Sequence, residues 1–153
     1  MQEWITNEHV DANLLQAIRS GVIDTGRELA RTYGGYAQPI ACAVTEHSSL
    51  IGGATGRTEF NRLFIDFLWI APRWRLRGLA AEALHKIEAL AAQRGCIDAI
   101  IETLDDDIAQ WYQRTGYVPI AHVPGYCGPW SRHTLLKPLS PPEAMASAED
   151  PSR

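Results

Sequence analysis

The sequence has few of the features that would force an unusual architecture. Its cysteines number only three. Cys42, Cys96 and Cys127 are odd in number and far apart, which excludes a disulfide framework and fits a reducing compartment. No stretch approaches about eighteen uninterrupted apolar residues, so no transmembrane helix is expected. The N-terminal segment MQEWITNEHV is polar and lacks a basic region followed by an apolar one, the pattern of an export signal. A cytoplasmic protein is the expectation. Basic charge is also scarce: 14 Lys and Arg against 18 Asp and Glu give a formal charge of −4, which argues against nucleic acid as the main partner. Repeats of solenoid length are missing. What remains is a chain of 153 residues, 46% apolar and 21% charged, with the composition and length of one globular domain.

The periodicity divides this domain into alternating elements. A short first strand is expected over residues 2–7. Asp11 caps a helix carrying Leu14, Leu15 and Ile18, which Gly21 ends. A second helix starts at Asp24 or Thr25, carries Leu29, Ala30 and Tyr33, and stops at Gly34-Gly35. Three strands then form a meander, over residues 39–46, 50–58 and 62–71. The third, RLFIDFLWIA, is apolar on both faces with Asp66 as its one charge, the pattern of a central strand covered on both sides. A long amphipathic helix spans about residues 77–94 and ends at Gly95. A strand at 96–102, a helix at 106–114 and two closing strands at 117–122 and 131–137 complete a mixed α/β sheet. The domain runs over residues 1–139. The tail 140–153, rich in proline and small residues, has almost nothing to bury and is expected to be loose.

The chemistry concentrates at Pro72-Arg73-Trp74-Arg75-Leu76-Arg77-Gly78-Leu79-Ala80, where a buried strand meets a helix. The first turn of a helix has unpaired N–H groups and a positive end, and so accepts anions. Gly78 allows close approach of a ligand to the backbone. Three arginines at the positive end oppose the helix dipole, a conflict that a bound polyanion removes.

Arg75-x-x-Gly78-x-Ala80 resembles the Q/R-x-x-G-x-G/A motif of the GNAT superfamily of acyl-CoA-dependent N-acetyltransferases. Trp111-Tyr112-Gln113-Arg114-Thr115-Gly116-Tyr117 is similar to that superfamily's second signature, and Ile51-Gly52-Gly53 to a paired-glycine strand of its bacterial members. The resemblance spans roughly residues 14–138. It implies a GNAT fold with a mixed sheet of about six or seven strands flanked by about four helices. It also implies transfer of an acetyl group from acetyl-CoA to a primary amine of a small cationic molecule, peptide or protein, by direct attack in a ternary complex and without a metal.

The same resemblance assigns the site. Arg75, Leu76, Arg77, Gly78, Leu79 and Ala80 would hold the CoA pyrophosphate. Leu68, Trp69 and Ile70 would pair with the pantetheine arm. Tyr112 would contact the cofactor sulfur and protonate it as the leaving group. Its ordinary pKa of about 10 keeps the phenol protonated at neutral pH. The base is open between Asp66, a lone carboxylate on an apolar strand, and Glu102, at the end of the next strand. Where many members carry an asparagine, this chain has Asp105, which opens the run Asp105-Asp106-Asp107; two readings stay open, that these acids cap a helix N-terminus, or that with Glu102 and Asp66 they make the acceptor end negative and favour a cationic amine. Tyr126 and Trp130 are candidates for an acceptor wall. His122, Cys127 and His133 match no metal-site spacing. Two other functions fit less well: a CoA-binding regulatory module without transfer, and a toxin-like acetyltransferase of aminoacyl-tRNA, which would want a broad basic face. An exposed closing strand could pair across a two-fold axis in a homodimer.

Overall fold

A computed structural model describes residues 1–6, 8–33 and 36–140. The chain divides into two compact units, Met1–Gly34 and Gly35–Arg153. The expected helix stop at Gly34-Gly35 and, beyond Ser140, the expected loose tail lie outside the described residues.

The first unit holds one helix, α1, Ala12–Tyr33. Asp11 caps it, its Oδ1 accepting from the backbone N–H groups of Asn13 and Leu14 at 2.8 and 2.9 Å. Two expectations are corrected here. Residues 1–6 form no strand; an extended run becomes a strand only where a neighbour completes its hydrogen-bond ladder. The two expected helices are one, because Gly21 continues the helix rather than ending it. A helical glycine costs only about 1 kcal/mol against alanine, and no proline follows to forbid the next turn. Asp24 therefore starts nothing and instead pairs with Arg27 at 3.0 Å.

The second unit is a six-stranded mixed sheet in the order β1-β2-β3-β4-β6-β5. Its strands are β1 Gln38–Glu46, β2 Ser49–Glu59, β3 Arg62–Ile70, β4 Asp98–Thr103, β5 Val118–Cys127 and β6 Trp130–Pro138. A short 3-10 turn, Pro72–Trp74, follows β3. Helix α2, Leu79–Gln93, crosses over to β4, and α3, Asp106–Arg114, links β4 to β5. The described residues thus hold three α-helices where about four were expected, since the first two are fused. All pairings are antiparallel except β3 with β4. The loop expected at 123–130 is mostly strand: β5 runs on to Cys127, and the turn narrows to Gly128-Pro129.

One face of the sheet carries the core. Leu63, Ile65, Ala99, Ile101 and Leu135 meet Leu84, Ile87 and Ala91 of α2 and Ala109 and Tyr112 of α3. Within the second unit β3 does not keep the alternation expected of it: Phe67 and Trp69 do not share the buried face of Ile65, and Ile70 is buried instead. The cause is a β-bulge. Ile65 lies opposite Gly56 and Phe67 opposite Thr55, so Asp66 is an extra residue without a partner position. One inserted residue inverts the alternation, and Leu68 and Ile70 take over the inward face from Leu63 and Ile65.

Candidate active site

Strands β3 and β4 run parallel only from Arg62–Asp98 to Ile65–Ile101. Beyond the bulge they separate, and a cavity of about 620 Å³ opens between their ends. Leu68 and Ile70 of β3 line one wall, Glu102 and Thr103 of β4 the other. Trp74 to Leu76 and Gly78 to Ala81 close one end, and Ile108, Trp111 and Tyr112 of α3 close the other.

The end formed by α2 lies at the start of a helix. Gly78 occupies the N-cap position with φ +81°, and no side chain caps the helix. The first intrahelical bond runs from Glu82 N–H to Gly78 C=O at 3.0 Å. The donors of Leu79, Ala80 and Ala81 precede it and have no acceptor of their own within the helix. A Cβ on Gly78 would meet nothing within 4 Å, so the left-handed backbone, rather than crowding, is what calls for glycine here. Leu76 also has a positive φ, +59°, and a fully exposed side chain. Such strain persists only where the surroundings impose it. Arg75 supplies part of that constraint, its Nε donating to the carbonyl of Ile70 at 3.0 Å. Arg77 lies over the Trp74 ring at 4.9 Å. Unpaired donors, a helix N-terminus and three arginines fit a pyrophosphate.

At the other end, Tyr112 is buried against Trp111 and Tyr117, with ring centroids 5.2 and 5.8 Å away. Burial pushes its phenol up to about 12, because removing water penalises the phenolate. The side chain therefore keeps its proton through the neutral range.

Glu102 faces the cavity with both oxygens engaged. Oε1 accepts from Thr134 Oγ1 at 3.0 Å and Oε2 from Arg132. Arg132 also donates to the Tyr126 hydroxyl at 3.0 Å, and the Glu102 carboxylate holds its guanidinium charged, its pKa raised. Asp105 caps α3, accepting from Ile108 N–H at 3.0 Å. Asp106 bonds His133 Nε2 at 2.6 Å, and the His122 ring lies 4.9 Å from that of His133.

Most of the residues expected at the site thus meet around one cavity: Leu68, Ile70, Arg75, Leu76, Gly78, Leu79, Ala80, Glu102 and Tyr112. Trp69 and Arg77 are not among its lining residues, and neither is Asp66, which pairs with Arg57 at 2.9 Å. Trp111, which packs against the core, also lines the cavity. Arg132 was not anticipated. Only the β4–β6 register, which sets Glu102 opposite Thr134, brings it to Glu102, and no local motif carries that information.

The fold is that of the GNAT acetyltransferases. The model of the acetyltransferase (GNAT) family matches residues 14–117, and the chain belongs to that family. The blasticidin-S acetyltransferase of Streptomyces morookaense is 34% identical over 118 residues, 74% of this chain and 87% of that one. Among solved structures, an acetyltransferase from Bacillus cereus ATCC 14579 superposes with a TM-score of 0.81 at 24% identity, over 88% of this chain and 98% of its own. An acetyltransferase from Bacillus anthracis, solved in complex with acetyl coenzyme A, gives 0.60 at 14% identity over 72% and 68% of the two chains.

Proposed function

We propose that this chain transfers the acetyl group of acetyl-CoA to a primary amine of a small cationic molecule or peptide, by direct attack in a ternary complex. One observation carries the reading: a single cavity runs from the uncapped N-terminus of α2 to the buried hydroxyl-bearing ring of Tyr112. A pyrophosphate at Gly78–Ala81 would lay the pantetheine arm along the separated edge of β3, where Leu68 and Ile70 line the wall.

The thioester supplies the acyl group, and the chain supplies position and protons. An attacking amine must arrive neutral, so an ammonium proton has to leave first. Glu102 lines the cavity and Asp66 does not, so this role is assigned to Glu102, acting through water. As the C–N bond forms and the C–S bond breaks, the sulfur takes the electron pair and the Tyr112 phenol delivers a proton to it. Acidic Glu102 and the Asp105–Asp107 run favour a cationic acceptor. The name of the 34%-identical relative gives blasticidin S as a substrate of that protein, which places it first among candidate acceptors here.

The test combines thermal melting with release of free thiol from acetyl-CoA over a panel of blasticidin S, spermidine and lysine peptides. Acetyl-CoA at about 100 times Kd contributes about 2.7 kcal/mol, or about 5–10 °C at this size, and thiol release requires an amine. An unmoved Tm at millimolar acetyl-CoA overturns the reading. A Tm rise with no turnover on any amine would instead define a CoA-binding module.

A further inference from the structure

Away from the cavity, a buried polar cluster of the second unit joins α2, β6 and the connection between α3 and β5. Glu88 of α2 is 5% exposed. Its Oε1 accepts from the Tyr117 hydroxyl and its Oε2 from Lys137 Nζ, each at 2.7 Å. A carboxylate this buried is tolerated only when charge and hydrogen bonds compensate it, and here both oxygens are satisfied. Replacing such a pair by apolar residues is often neutral for stability, so stability alone does not explain the cluster. Directed hydrogen bonds fix orientation where apolar packing leaves a choice.

The orientation that matters is that of Tyr112. The ring of Tyr117 is 5.8 Å from that of Tyr112, and Tyr117 N–H donates to the Tyr112 carbonyl at 3.1 Å. Thr115 adds its N–H at 3.0 Å and its Oγ1 at 2.8 Å to the same carbonyl. From β6, Lys137 lies along Gly116, where a Cβ would come 3.3 Å from Lys137 Cε, and its Nζ is 5.6 Å from the Tyr117 ring centre. We propose that Glu88, Tyr117 and Lys137 form a strut that fixes Tyr112 relative to α2, which makes Glu88 and Tyr117 positioning residues for proton delivery to the thiolate. The proposal rests on the reading of Tyr112 as the acid. Through it, the helix that receives the pyrophosphate and the helix that carries the acid share one reference point. Burial and the Glu88 carboxylate both push the Tyr117 phenol up, so it remains a donor to Glu88 at any working pH.

The test follows Tyr112 directly, in full-length protein carrying ¹³C at the ζ carbon of tyrosine, with its resonance assigned by Tyr112→Phe. Wild type should show one narrow Tyr112 line that moves on adding acetyl-CoA. Tyr117→Phe, which removes one oxygen, should broaden or split that line while Kd for acetyl-CoA stays within about three-fold. It should lower kcat about ten-fold, less than an ångström of misplacement costs, with no further loss when added to Tyr112→Phe. Glu88→Gln should act likewise. If it fails to fold, Glu88→Met combined with Lys137→Met, which removes both charges together, takes its place. An unchanged Tyr112 line in these variants, or a kcat loss equally large without the Tyr112 hydroxyl, overturns the strut. An acetyl-CoA titration that leaves the wild-type line unmoved defeats the reading of Tyr112 as acid, and the comparison of free-state lines still decides the strut.

Discussion

Arg75 reaches back to the last residue of β3, its Nε donating to the Ile70 carbonyl at 3.0 Å. The bond ties the turn before α2 to the strand edge that forms one wall of the cavity. A guanidinium serving this purpose does structural work that a free cation beside a phosphate would not. Arg75→Met should therefore weaken acetyl-CoA by more than loss of one surface charge. About ten-fold or more is expected from a hydrogen bond to a charged donor worth about 1.5–3 kcal/mol, measured by calorimetry. Equal affinity would show that the turn holds its shape without the clasp.

Gly78→Ala tests the backbone alone. The added methyl meets nothing within 4 Å, so its cost is the left-handed conformation, about 1–2 kcal/mol. At this size that lowers Tm by about 2–8 °C. An unchanged Tm with unchanged acetyl-CoA binding would mean that the turn relaxes freely.

Tyr112→Phe should lower kcat by about a hundred-fold and leave Kd for acetyl-CoA nearly unchanged, since the ring still fills its place. In the wild type, a phenol pushed up to about 12 predicts no alkaline loss of kcat from this group below that pH. The same shift sets a stability window. The folded-state pKa is raised above the unfolded value near 10, so the contribution is complete below about pH 10 and is lost as pH rises towards 12. A kcat that falls with a midpoint near 10 in stably folded protein would reassign the acid.

The two carboxylates separate cleanly. Glu102→Gln breaks an ion pair with Arg132 whose side chains are both well exposed to solvent, so stability should change by less than about 1 kcal/mol. Its kcat/KM for a cationic amine should fall, more at low salt than at high. Asp66→Asn removes the charge of the pair with Arg57 at an equally exposed site, while the amide oxygen can still accept from the guanidinium. It should shift Tm slightly and leave the pH profile of kcat/KM alone. The reverse pattern would move the base to the bulge.

The order of elements in the second unit, the end of α2 at Gly95 and the glycine turn that starts α2 at Gly78 were all legible in the sequence. Each rests on local chemistry: alternation for strands, periodicity for helices, and a glycine with arginines at a helix start. The extra strand expected over residues 2–7 and the helix break at Gly21 failed for a related reason. A strand needs a ladder partner that sequence alternation does not supply, and a single helical glycine is too weak a signal to stop a helix.

What only the tertiary structure decided lies in pairings between distant residues. The bulge at Asp66 exists because β2 and β3 keep register on both sides of it. That insertion turns Phe67 and Trp69 outward and lets β3 part from β4 where the cavity begins. The engagement of Glu102 by Arg132 and Thr134, and of Glu88 by Tyr117 and Lys137, likewise depends on strand register and helix placement across the sheet. Motifs record what each segment can do on its own. Which carboxylate faces the cavity, and which is bound elsewhere, is set by contacts between segments far apart in the chain.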